Sequence, residues 1–92
     1  MSANEFVKYE DDGSATITLA GKVEMDGVKV SVISMREPTV RDQLAGEKAK
    51  GGDAEKEIAI FANLCEQTPA FIESLSLRNY KRVQAAYLGF AD

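Results

Sequence analysis

The stretch Arg36-Glu37-Pro38-Thr39-Val40-Arg41-Asp42 divides this 92-residue chain into two parts with different hydrophobic periods. Before it, apolar residues alternate with polar ones; after it, they recur at three- and four-residue intervals. Pro38 has no N–H to give to a strand ladder and holds Glu37 extended. Thr39 then suits a helix N-cap, and Asp42 three residues on completes a Thr-x-x-Asp variant of the capping box. The pattern predicts an α+β fold, an N-terminal antiparallel β-hairpin followed by three to four short α-helices. A third strand is added if Phe6–Tyr9 joins the hairpin. The length fits a single domain, with residues 1–14 an acidic extension holding that candidate edge strand, 15–36 the hairpin and 39–90 the helical part.

Within the hairpin, Ile17, Leu19, Val23 and Met25 share one face of a strand over Thr16–Met25. Asp26-Gly27 suits a two-residue type I′ turn, whose central residues both need φ > 0. That turn pairs Met25 with Val28, Val23 with Val30 and Gly21 with Val32. Past Val32 the apolar parity reverses, so a bulge near Val32-Ile33, opposite the small Gly21, is expected to return Met35 to the face of Leu19.

The first helix is expected from Val40 to Lys50, stopping at Gly51-Gly52. Asp53 should cap a second, Ala54 to Gln67, whose large apolar residues cover about half of its circumference. Ile58, Phe61 and Cys65 form the expected core stripe; Ile60 and Leu64, about 100° round, form the expected partner surface. Thr68-Pro69 opens a short turn through Phe71-Ile72. Ser76 caps the last helix, Leu77 to Leu88, with Leu77, Tyr80, Val83, Gln84, Tyr87 and Leu88 on one stripe and Arg78, Lys81 and Arg82 opposite. Gly89 reads as the residue just past this helix, with Phe90 folding back on its last turn.

The chemistry open to the chain is narrow. It has no His, which removes the commonest general base, the Ser-His and Cys-His pairs and most zinc sites. A chain of this size buries only about 60–65% of its unfolded surface, too little to enclose a deep site easily. The single Cys65 rules out an intrachain disulfide, fits a reducing compartment and sits at helical spacing from Ile58, Phe61 and Ala62, as a small core residue would. The carboxylate pairs Asp11/Asp12 and Glu55/Glu57 fall in a turn and at a helix start. Gly51-Gly52-Asp53 follows a helix, not a strand, and is no phosphate loop. No apolar run approaches the ~20 residues of a membrane span, and Met1-Ser2-Ala3-Asn4-Glu5 lacks the regions of a signal peptide, so a cytosolic place is expected. No catalytic residue, cofactor or metal is expected, and the chain reads as a binding module. Its net charge of −4 disfavours nucleic acid. The charge is nevertheless polarised, with six acids against two lysines in residues 1–26 and three cations on the last helix, a distribution that can orient a partner.

From Gly27 to Phe90 the order of segments resembles the small tail assembly chaperones of Mu-like and P2-like phages with contractile tails. The likeness is carried by Met35-Arg36-Glu37-Pro38-Thr39-Val40-Arg41-Asp42 after the hairpin and by Gly52-Asp53-Ala54-Glu55-Lys56-Glu57-Ile58-Ala59. It continues through Ile60-Phe61-Ala62-Asn63-Leu64, Thr68-Pro69, Leu75-Ser76-Leu77-Arg78-Asn79-Tyr80-Lys81-Arg82-Val83-Gln84 and Tyr87-Leu88-Gly89-Phe90. Two departures stand out: Asn79 replaces the Asp that tends to precede the aromatic residue in this family, and the first dozen residues extend the usual start. The resemblance implies a non-enzymatic protein that binds helical segments of the tape-measure protein in the cytoplasm of the bacterial host and is absent from the mature virion. It also implies a longer frameshifted form of the chain as a further partner; self-association, as a homo-oligomer, is expected from the charge polarity and from the Ile60 and Leu64 face. Candidate partner-binding residues are Ile60, Leu64, Phe71, Arg78 and Arg82. The competing reading is a small regulatory or DNA-binding module of a prophage, acting through the basic C-terminal helix and marked by steep salt dependence.

Overall fold

A computed structural model describes residues 3–91. After a 3₁₀ turn at Ala3–Phe6, the strands are β1 (Val7–Tyr9), β2 (Ala15–Met25) and β3 (Val28–Met35), and the helices α1 (Val40–Glu47), α2 (Asp53–Cys65), α3 (Pro69–Ser74) and α4 (Leu77–Gly89). The strands form one antiparallel sheet in the order β1-β2-β3, so Val7–Tyr9 is indeed the third strand and α+β is the fold class. One face of the sheet carries Ala15, Ile17, Leu19, Ile33 and Met35 into a core completed by Phe61, Leu64 and Cys65 of α2, Ile72 of α3 and Val83 and Ala86 of α4.

The hairpin turn is as the sequence requires. Asp26 and Gly27 both have positive φ, 53° and 80°, and Met25 faces Val28 as Val23 faces Val30. Beyond Val23 the expected register fails: Val32 pairs with Thr18, not with Gly21. Leu19, Ala20, Gly21 and Lys22 of β2 stand against the single Ser31 of β3, so the extra residues belong to β2 and not to Val32-Ile33. Gly21 is the reason, because its φ of 73° lies where residues with a Cβ are strained. The parity repair still occurs, and Met35, opposite Ala15, is fully buried with Leu19.

The helix starts follow their caps. Thr39 and Asp42 close the α1 capping box, Thr68 accepts from the Phe71 N–H, and Ser76 accepts from the Asn79 N–H. Three expectations need correction. Helix α1 stops at Glu47, before Lys50. Gly52, not Asp53, is the N-cap of α2, because Glu55 reaches back to the Gly52 N–H (2.9 Å) and Asp53 is drawn into the first turn; the helix ends at Cys65, with Glu66 in the left-handed region at φ 56°. Gly89 is the last residue of α4 and Phe90 its C-cap. At Gly89 a Cβ would overlap the Tyr9 hydroxyl, so glycine is there for close approach to β1 rather than for helix termination.

Two polar clusters lock these layers together. Asp42, buried, accepts a forked pair of bonds from Arg36 (2.8 and 2.9 Å), the Thr39 N–H (2.9 Å) and hydroxyl (3.1 Å), and the Asn63 amide (3.2 Å). It thereby joins the end of β3 to α1 and α2, and the Arg36 guanidinium holds its carboxyl well below the usual carboxylate range. The second cluster sits at the β2 irregularity, where Ala20 loses its ladder partners. The side-chain amide of Asn79, only 2% exposed, accepts from the Ala20 N–H at 2.7 Å and donates to the Ala20 carbonyl at 3.3 Å.

Candidate partner-binding surface

The placement of α4 determines the surface. Its buried positions are Asn79, Val83 and Ala86, with Tyr80, Gln84 and Tyr87 half-buried beside them. The stripe is therefore rotated from the expected one, and Leu77 and Leu88 at its two ends are 71% and 70% exposed. Asn79 is the cause: its two bonds to Ala20 turn the second residue after Leu77 toward the sheet, and α3, only six residues long, does not reach over Leu77.

Leu77 is a ridge between two concavities. On one side a groove of about 360 Å³ is lined by Ala54 and Ile58 of α2, Ile72, Glu73 and Leu75 from α3 and its cap, and Tyr80. On the other a cavity of about 510 Å³ is lined by Phe6, Leu77, Arg78, Lys81 and Arg82. The Arg82 guanidinium lies 3.5 Å from the Phe6 ring centroid and donates to the Thr18 carbonyl at 2.9 Å, so it is fixed in place. Arg78 and Lys81 are exposed and enter no ion pair among the described residues. A second apolar surface, on the far end of α4, is lined by Pro38, Val40, Tyr87, Leu88 and Phe90, in a groove of about 400 Å³.

Of the five candidate residues, the structure brings Arg78 and Arg82 together at this surface. Leu64 is a correction, since at 1% exposure it lies in the core and presents nothing to a partner. The wide apolar arc of α2 is buried at Phe61, Leu64 and Cys65, while Ile58, expected in the core, is half-buried against it and also lines the Leu77 groove. Ile60 is half-buried on another side, against Gly46 of α1, where a Cβ would strike the Ile60 side chain. Phe71 is half-buried against the core. The sequence reading missed Leu77, and the signal was present: a large apolar residue directly after a Ser cap, with a cation following it.

The polar groups near this surface are engaged rather than reactive. Tyr80 donates to Glu57 Oε1 at 2.5 Å and Gln84 Nε2 donates to the same oxygen at 3.0 Å. Burial, reinforced by the bond to Glu57, raises the Tyr80 phenol above its ordinary range. Burial alone pushes the Cys65 thiol up to about 12, so it stays protonated at neutral pH and is no nucleophile. Among the described residues no three His, Cys, Asp or Glu side chains are placed to hold a metal ion, and no helix is long and apolar enough to cross a membrane.

The exposed Leu77 and the cations beside it stand alongside what comparison of the sequence shows. Residues 16–92 match the family described as phage tail assembly chaperone proteins, E, or 41 or 14. This chain belongs to that family. Comparison with curated proteins and with solved structures gave no match. As a tail assembly chaperone the protein acts in phage tail assembly, and the matched span covers β2, β3 and all four helices. Strand β1 and Phe6 lie outside it, although both pack on α4.

Proposed function

We propose that this tail assembly chaperone binds helical segments of the tape-measure protein during tail morphogenesis and keeps them from aggregating until tube subunits assemble around them. The reading rests on family membership and on one observation, the exposure of Leu77 beside an apolar groove formed by α2, α3 and α4. A groove between helices takes the apolar stripe of an added amphipathic helix, with anchors at i, i+3, i+4 and i+7. Binding of this kind needs no nucleotide or metal and gives a negative heat-capacity change. Release before maturation, in the host cytoplasm, would leave the chaperone out of the virion. DNA binding through α4 has less support, because the chain is acidic overall.

Co-expression with the long helical protein of the same tail operon, followed by pull-down and a solubility assay, tests the proposal. A recovered complex and an increased soluble fraction are expected. Equal insolubility with and without the chaperone, with no complex at low salt, rejects it.

A further inference from the structure

The shallow basic depression beside Leu77 differs in composition from the two grooves described above. In a chain of net charge −4, three cations of α4 flank two apolar residues, Phe6 and Leu77, and no acidic side chain lines the same depression. Arg82 is held by Phe6 and by the Thr18 carbonyl, so its charge is positioned before any partner arrives. Arg78 and Lys81 have no ion pair among the described residues to give up on binding. Across the Leu77 ridge the groove toward Ile58 and Tyr80 is apolar, with Glu73 at its α3 end.

We propose that this surface selects acidic amphipathic helices, whose apolar stripe packs over Leu77 while their carboxylates meet Arg78, Lys81 and Arg82. The inference rests on the proposed binding of helical segments and adds the chemistry by which they are chosen. Apolar contact at Leu77 supplies most of the affinity; the cations set orientation and reject basic helices, as like charges do across an interface. Glu73 at the opposite end disfavours the reversed placement, in which carboxylates would face α3. A single-stranded nucleic acid would also seek the cations, but Leu77 and its groove offer it apolar contact where it needs phosphate contacts.

The test uses the full chain and two labelled amphipathic peptides with the same leucine stripe, one with glutamate on its polar face and one with lysine. Fluorescence anisotropy should show the glutamate peptide binding at least about tenfold more tightly, with a loss of only about three- to tenfold between 50 and 500 mM salt. The double variant Arg78→Glu/Lys81→Glu should reverse the preference, and Leu77→Ser should weaken both peptides, each with an unchanged circular dichroism spectrum because these residues are exposed. Equal affinity for the two peptides, an unreversed preference in the double variant, or tighter binding of a single-stranded oligonucleotide overturns the inference. Capture of the tape-measure protein by the double variant at the wild-type level overturns this site and leaves the proposed function standing. Failure of the wild-type chain to capture it, with the glutamate preference intact, rejects the proposed function and leaves the selectivity.

Discussion

The side-chain amide of Asn79 replaces a missing strand partner for Ala20, accepting its N–H at 2.7 Å and donating to its carbonyl at 3.3 Å across 59 residues of sequence. A strand irregularity normally leaves backbone groups for water, but this one is covered by α4 and so must be satisfied from within. The same pair of bonds sets the rotation of α4 and with it the exposure of Leu77.

Truncating Asn79 leaves two backbone groups unsatisfied and a small cavity, so Asn79→Ala should cost about 2–4 kcal/mol. Asn79→Asp keeps the bond from the Ala20 N–H but sets a buried carboxylate oxygen against the Ala20 carbonyl, so its cost should be larger at neutral pH than at acid pH, where the protonated carboxyl can donate. Urea denaturation at pH 4 and pH 7 measures both; an Asp variant that gains nothing relative to the Ala variant at the lower pH would contradict the assignment.

The Asp42 cluster makes stability depend on pH. Because the folded-state carboxyl is held below its unfolded value near ~3.9, its contribution is fully present above that value and is lost as pH falls through the folded one. Asp42→Asn should cost about 1–3 kcal/mol at neutral pH and flatten the stability profile below about pH 4. Melting temperatures across pH 2 to 7 for both proteins read this out, and parallel profiles would remove Asp42 as the source.

Two glycines separate conformational from steric cost. Gly27 has open space at its Cβ position, so Gly27→Val is penalised only through φ > 0, by about 1–3 kcal/mol. Gly89→Ala is helical and unstrained but drives a methyl into Tyr9, and should cost about 1–3 kcal/mol. Shortening Tyr9 to Leu should recover part of the second loss and none of the first. Calorimetric melting of the single and paired variants decides the matter.

On α2, Phe61 sits between Tyr80 and Tyr87 with ring centroids 5.7 and 5.4 Å away. Phe61→Ala should cost about 3–5 kcal/mol, whereas Ile60→Ser, half-buried over Gly46, should cost about 1–2 kcal/mol. Similar losses in chemical denaturation would mean that the two faces of α2 are not distinct.

What was legible in the sequence was local. Asp26-Gly27, Thr39 with Asp42, Thr68-Pro69 and Ser76 each satisfy a backbone group within a few residues, so their signals are contained in short words of sequence. The strand register past Val23 was not legible, because Gly21 reads equally as a small residue opposite a bulge in β3 or as the positive-φ residue of an irregularity in β2, and the Ala20 groups that the second leaves open are satisfied by Asn79 on a distant helix. Periodicity could not choose between Ile58 and Leu64 on an arc as wide as that of α2, nor show that nothing covers Leu77 and Leu88. Arg36 and Asp42 appear side by side in the junction that organises the chain, but a forked ion pair across a Pro-Thr cap has no sequence period to betray it. Of the candidate surface, the cations were readable as a cluster; the apolar ridge they flank was readable only as the first residue of the helix's apolar stripe.

The Tyr9 hydroxyl donates to the Ala86 carbonyl, 77 residues away, and its ring meets Phe90 edge-on at 5.1 Å. A strand seated against the last helix cannot dock while that helix is still inside the ribosome. The three strands and the first helices can form as they emerge, since β1 pairs with β2 across a short turn, but the contacts of Tyr9 with Ala86 and Phe90 come only with α4, and this long-range closure becomes the late step of folding. During that interval the nascent chain exposes apolar surface that only its own last helix can cover.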